Sequence, residues 1–175
     1  MNDASGGVRI EPLVEADIGP LVALAGEIWR AHYPGIVDPA QIEYMLAQRY
    51  EPRLIRAELG RGDVWWDKLM VGDEMAGFAS YFLADAPGEM KLDKLYVHSR
   101  HQRRGYGGML IERAAGLARA RDCRRLTLAV NKENRSAIAA YLKHGFCFAD
   151  AVVKDIGGGF VMDDYIMEKP VWGDP

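Results

Sequence analysis

The chain has 175 residues, 49% of them apolar, and a formal net charge of −3. That length supports one globular domain over 1–175 whose core needs no staple, and the acidic balance disfavours a general nucleic-acid binder. No apolar run approaches a membrane span, and the polar start "MNDASGGV" lacks the apolar stretch of a signal peptide, so a cytoplasmic protein with no membrane contact is expected. Cys123 and Cys147 are the two cysteines. They read as free intracellular thiols, and with no CxxC or histidine cluster no metal site is expected.

In chain order, "VRIEPL" reads as a first strand. Asp17 then caps a helix carrying Ile18, Leu21, Val22, Ala25, Ile28 and Trp29 on one stripe, which the break "HYPG" ends. Asp38-Pro39 starts a second helix with Ile42, Met45, Leu46 and Tyr50, and "PRLIRAEL" forms a third before Gly60. The period then changes to that of strands. "VWWDKLMV", "MAGFASYFL" and "MKLDKLYVH", joined by "GDE" and "DAPGE", predict an antiparallel meander. A helix over 107–121, the strand "RLTLAV", a helix capped by Asn134 and closed by Gly145, and the strands "FCFADAVVK" and "FVMDDYIMEK" follow. The expected fold is α+β, a mixed and mostly antiparallel central sheet flanked by helices.

The turn "HQRRGYGG", His101 to Gly108, links a strand to a helix N-terminus and is basic against an acidic background. Amides freed by glycine, the positive end of a helix and Arg100, Arg103 and Arg104 together favour a bound anion. No Lys-Ser/Thr pair of a Walker A loop follows, and there is no second βαβ unit with a ribose-binding acid, so nucleotide hydrolysis and dinucleotide binding fit poorly. Glycines at such a junction also serve turns that bind nothing. A second constellation lies in "NKENRSAIAAYLKHGF". Asn134 and Tyr141, seven residues apart, project from nearly the same helix face, although one can be a plain N-cap and the other a core aromatic.

These two stretches resemble the GNAT superfamily of N-acetyltransferases. Gln102, Arg103, Arg104, Gly105, Tyr106 and Gly107 resemble that family's Q/R-x-x-G-x-G/A acetyl-coenzyme A signature. Asn134, Ala137, Tyr141, Gly145 and Phe146 resemble its second motif at the same spacing. The likeness covers about the last two thirds of the chain and is only an outline before Val64. It implies acetyl-coenzyme A as co-substrate. Main-chain amides from Arg103 to Gly108 would hold the pyrophosphate, with Gly105 and Gly107 allowing close approach. Backbone groups at Leu95, Tyr96 and Val97 would hold the pantetheine arm and one N–H would polarise the thioester, while Asn134 and Tyr141 would complete the cofactor site.

The resemblance further implies direct attack of a neutral amine, with Tyr141 as the acid that protonates the leaving thiolate. Where some members carry a catalytic glutamate this chain has Lys91, flanked by Glu89 and Asp93. Alternation puts the three on one face unless a bulge intervenes, so Asp93, and beside it Glu89, are candidate bases; a surface ion ladder is the other reading. His32 and Tyr33 are further candidates near the acceptor. Asp163 and Asp164, beside the flexible-looking "GGGF", would add acid to the acceptor face or lie on solvent. The expected acceptor is a small amine such as a polyamine, a reading also suggested by a likeness of the ending "DDYIMEK" to polyamine-acetylating members. A protein N-terminus or lysine is the alternative acceptor, a silent acyl-coenzyme A binding module is the alternative to an enzyme, and self-association into a homodimer is left open.

Overall fold

The computed structural model describes residues 7–172. The polar start read above lies, up to residue 6, outside them. Strand β1 (Val8–Pro12) leads through a 3-10 turn at Glu15–Asp17 into helices α1 (Ile18–His32), α2 (Pro39–Arg49) and α3 (Pro52–Leu59). The meander β2 (Val64–Val71), β3 (Glu74–Leu83) and β4 (Glu89–Val97) follows. Then come α4 (Tyr106–Ala120), β5 (Arg125–Asn131), α5 (Arg135–Lys143), β6 (Cys147–Gly157) and β7 (Phe160–Pro170). The sheet runs β1-β2-β3-β4-β5-β7-β6 and is antiparallel except between β4 and β5. Among the described residues, no helix is long and apolar enough to cross a membrane.

Each face of the sheet carries a core. On one face Leu110, Ile111, Ala114 and Ala118 of α4 pack against Met90, Leu92, Leu126 and Met167. On the other, Leu21, Ile28 and Trp29 of α1, Ile42 and Met45 of α2 and Ile55 of α3 cover Trp66 and Phe78. The amphipathic stripes of the helices therefore choose their sheet faces, as their apolar spacing predicts. Cys123 is buried and Cys147 exposed, both as free thiols.

Two expected caps take other partners. Asp17 ends the 3-10 turn and makes no side-chain cap to α1; its carboxylate accepts from the Val14 amide at 2.9 Å and from Lys68 Nζ at 2.8 Å. A charged lysine is the stronger partner for a half-buried carboxylate. Asn134 sits at the start of α5 without capping it, because its carboxamide is used elsewhere. Asp38 does cap α2, accepting from the Ala40 amide at 2.8 Å.

Two irregularities open the middle of the sheet. The parallel pairing of β4 with β5 covers only Glu89–Lys91 opposite Arg125–Thr127, and beyond it the strands part. On the other edge of β4, Ser80 faces Lys94 while Tyr81 faces Leu92, so Asp93 is an extra residue bulged out of the ladder. A bulge bends its strand and strengthens the local twist, which suits a strand leaving its neighbour.

Candidate active site

The parted strands form one wall of a cavity of ≈ 930 Å³, closed by α4 and α5 at one end and by α1, α2 and the β6–β7 hairpin at the other. Leu95, Tyr96, Val97, Gln102, Arg103, Gly105, Tyr106, Gly107, Gly108, Asn134 and Tyr141 all line it. Arg104 is exposed and does not, and Arg100 pairs with Glu74 at 3.0 Å instead. Backbone groups on the β5 side of β4 have no strand partner beyond Lys91. Side chains take the Asp93 and Val97 carbonyls, and the groups between them are free for an extended ligand to take up.

The glycine-rich turn is built by local conformation. Arg103 and Gly105 adopt φ of 60° and 81°, left-handed values that turn successive amides inward as an anion nest. Gln102 Nε2 ties the turn to β4 through Val97 O at 3.0 Å. A Cβ on Gly107 would meet nothing nearer than Leu95 Cδ2 at 3.9 Å, so the protein itself does not require that glycine. The space is left for something that must approach the backbone. Gly108 has another reason, since a Cβ there would stand 2.5 Å from His144 Cε1. An amide nest at a helix N-terminus, an open glycine and an unpaired strand edge fit a pyrophosphate with an extended arm.

At the other end, Asp93 lines the cavity but is committed. Arg49 Nη2 donates to its Oδ1 at 3.2 Å and to its carbonyl at 3.3 Å, and Lys94 bonds the other carboxylate oxygen. Burial raises the Asp93 pKa, but the Arg49 and Lys94 cations outweigh it and hold the carboxyl at about 2. Lys94 is buried against the faces of Trp66 (4.8 Å) and Tyr50 (5.7 Å). A carboxylate held so low is a weak proton acceptor, which runs against the base expected from sequence. Glu89 is not in the cavity at all. It accepts from Arg125 Nε at 3.0 Å and Thr127 Oγ1 at 2.9 Å where β4 and β5 still pair. Lys91 and Asp93 both line the cavity, and Glu89 drops out of the expected group because it sits at the paired end of β4.

The two aspartates of β7 separate, as neighbours on a strand must. Asp163 turns to solvent and pairs with Lys132 at 2.5 Å. Asp164 lines the cavity, is 9% exposed, and has one carboxylate oxygen buried with no hydrogen-bond partner. Burial, helped by Asp163, raises its pKa. Lys91 and Lys154 line the same end, so the acceptor face is not the acidic field expected from sequence. The turn at 157–159 is not loose either. Its three glycines have φ of 85°, 63° and 82°, and a Cβ on Gly157 would stand 2.5 Å from Tyr44 Oη. Tyr44 and Gln41 of α2 donate to Ile156 O (2.7 Å) and Val161 O (2.9 Å), latching the hairpin over the cavity.

Nothing in the sequence singles out Arg49, whereas His32 and Tyr33 stand out there without the partners that they take. Arg49 meets Asp93 across 44 positions and sat in an ordinary helix end. Tyr33 and Tyr96 share a hydroxyl–hydroxyl bond of 2.9 Å, and burial raises both their pKa values. His32 Nε2 lies 3.1 Å from Asn134 Oδ1, joining α1 to α5 across the cavity.

Residues 24–146 match the profile of the acetyltransferase (GNAT) family, and the chain belongs to that family. It is an acetyl-coenzyme A-dependent N-acetyltransferase. It is 25% identical over 166 residues to a spermidine N(1)-acetyltransferase of Thermoplasma acidophilum, covering 93% of this chain and 96% of that one. Its fold is similar to the PaiA N-acetyltransferase of Thermoplasma acidophilum in complex with coenzyme A: TM-score 0.79, 23% identity, 94% of this chain and 99% of that one covered. It is also similar to the ribosomal-protein-S18-alanine N-acetyltransferase of Escherichia coli: TM-score 0.71, 20% identity, 97% of each chain covered.

Proposed function

We propose that the acceptor is a small primary amine of the polyamine class, and that the chain transfers an acetyl group to it directly. The observation that carries this is Asp164, a buried carboxylate with an unpartnered oxygen at the acceptor end. Such a group lacks the bonds water would have supplied, and an ammonium restores them. A polyamine offers one cationic group to anchor and another amine to acetylate. The latch between α2 and the β6–β7 hairpin supports a compact acceptor over a long polypeptide. So does the likeness to a spermidine N(1)-acetyltransferase.

Acetyl-coenzyme A supplies an activated thioester carbonyl. The residues of the chain would bind and orient it: the Arg103–Gly108 amides would hold the pyrophosphate, the unpaired edge of β4 at Leu95–Val97 would align the extended arm, and an N–H there would polarise the thioester carbonyl. Asn134 supports the arm from α5, and Tyr141 keeps its proton for the departing thiolate. Asp93 acts as the charge partner of Arg49 and Lys94.

Two measurements test this. A Cβ at Gly107 meets no clash, so Gly107→Val is expected to fold while coenzyme A binding weakens by roughly 10- to 100-fold, the worth of about one charge-assisted hydrogen bond. Unchanged affinity by calorimetry removes the cradle from Gly107. Asp164→Asn lowers kcat/KM for spermidine by roughly 10- to 100-fold and leaves a peptide with a free N-terminus little affected. Rapid acetylation of that peptide with spermidine inert discards the polyamine reading and keeps the acetyltransferase.

A further inference from the structure

Deprotonating the attacking amine needs a base, and the carboxylates expected for it are spent: Glu89 lies outside the cavity and Asp93 is held by two cations. We propose that His32, the last residue of α1, is that base. Its Nε2 lies 3.1 Å from Asn134 Oδ1, a carboxamide oxygen that only accepts, so Nε2 carries the proton and Nδ1 keeps a bare lone pair. Asn134 occupies an N-cap position yet makes no side-chain cap; its oxygen goes to a histidine 102 residues away. This fixes the tautomer and ring position of a cavity-lining imidazole, as a general base requires.

The placement relative to Tyr141 suits the reaction. Asn134 and Tyr141 stand seven positions apart, about 10 Å along a helix axis. That span accommodates a base, an amine nitrogen, the thioester carbon and sulfur, and an acid in sequence. The N–C bond forms as the amine proton passes to His32 Nδ1; the C–S bond breaks as the thiolate takes the proton of Tyr141. Bulk solvent then restores both side chains. Tyr33 packs edge-on against the imidazole with ring centroids 5.0 Å apart, and Tyr141 on α5, Tyr96 on β4 and Asp164 on β7 share its cavity, as do the cations Arg49, Lys91, Lys143 and Lys154. Burial raises the pKa of Asp164 and of the three tyrosines, so the tyrosines hold their protons through neutral pH.

This inference rests on acetyl transfer and not on which amine accepts. Nitrogen NMR of the whole protein reads the His32 tautomer without any acceptor, and a ring protonated at Nδ1 instead of Nε2 overturns it. His32→Gln keeps a donor for Asn134 but has no base. With spermidine, or with the free-N-terminus peptide if spermidine is inert, its kcat falls by about 10²–10⁴-fold. The low-pH limb of kcat/KM disappears, while thermal stability and coenzyme A affinity stay near wild type. His32→Ala is partly rescued by added imidazole, which a packing role would not allow. A His32→Gln enzyme with wild-type kcat, or a low-pH limb abolished by Asp164→Asn and retained by His32→Gln, refutes the proposal.

Discussion

Replacing Tyr141 by phenylalanine is expected to lower kcat by about 10²–10⁴-fold while changing the Kd for coenzyme A little, the range associated with loss of a general acid. Tyr141 lines the cavity, and its ring lies edge-on to Phe146 with centroids 5.5 Å apart, a contact phenylalanine preserves. Burial, with Tyr33 beside it, pushes the phenol above its ordinary value, so it stays protonated at every working pH. Rates of coenzyme A release in wild type and variant decide the matter. Turnover at the wild-type rate makes Tyr141 a packing residue only.

Asp93→Asn should cost about 3–5 kcal/mol of stability, because it leaves Arg49 and Lys94 in a poorly solvated cluster without their counter-charge. For a chain of this size that lowers Tm by roughly 10 °C. The pH dependence has a definite sign. The folded-state pKa of Asp93, about 2, lies below the unfolded value near 4, so its contribution is complete above about pH 4 and fades as pH falls towards 2. Wild-type stability should drop through that window, and the variant's should drop less. If instead Asp93→Asn melts like wild type but loses turnover, the carboxylate is the base that the strand alternation suggested.

Much of the molecule is legible locally. The alternating runs from Val64 to Val97, the Asp38-Pro39 start of α2 and the glycine-bearing turn after β4 each carry their conformation in a few neighbouring residues, because turn and cap chemistry acts over one to four positions. The motif pair around Gly105 and Tyr141 could be read for the same reason: both lie on single elements at helical or turn spacing. Asp17 and Asn134 show where such rules stop. Each occupies a cap position, yet each was claimed by a distant partner, Lys68 in one case and His32 in the other.

The electrostatics of the site was decided by tertiary structure. Which carboxylates face the cavity depends on strand parity, and a single bulge at Asp93 resets that parity with no mark in composition. Glu89, ahead of the bulge, stays at the paired end of β4 away from the cavity, while ordinary alternation along β7 sends Asp163 to solvent and Asp164 to the acceptor end. One counter-charge of Asp93, Arg49, comes from 44 residues away, and the hydrogen bond between His32 and Asn134 spans 102. Sequence therefore determined the elements, the fold class and the glycine-bearing turn at the start of α4, all products of short-range backbone preference. The ionisation and pairing of the acceptor-side residues arise from burial and charge proximity between segments that only folding brings together.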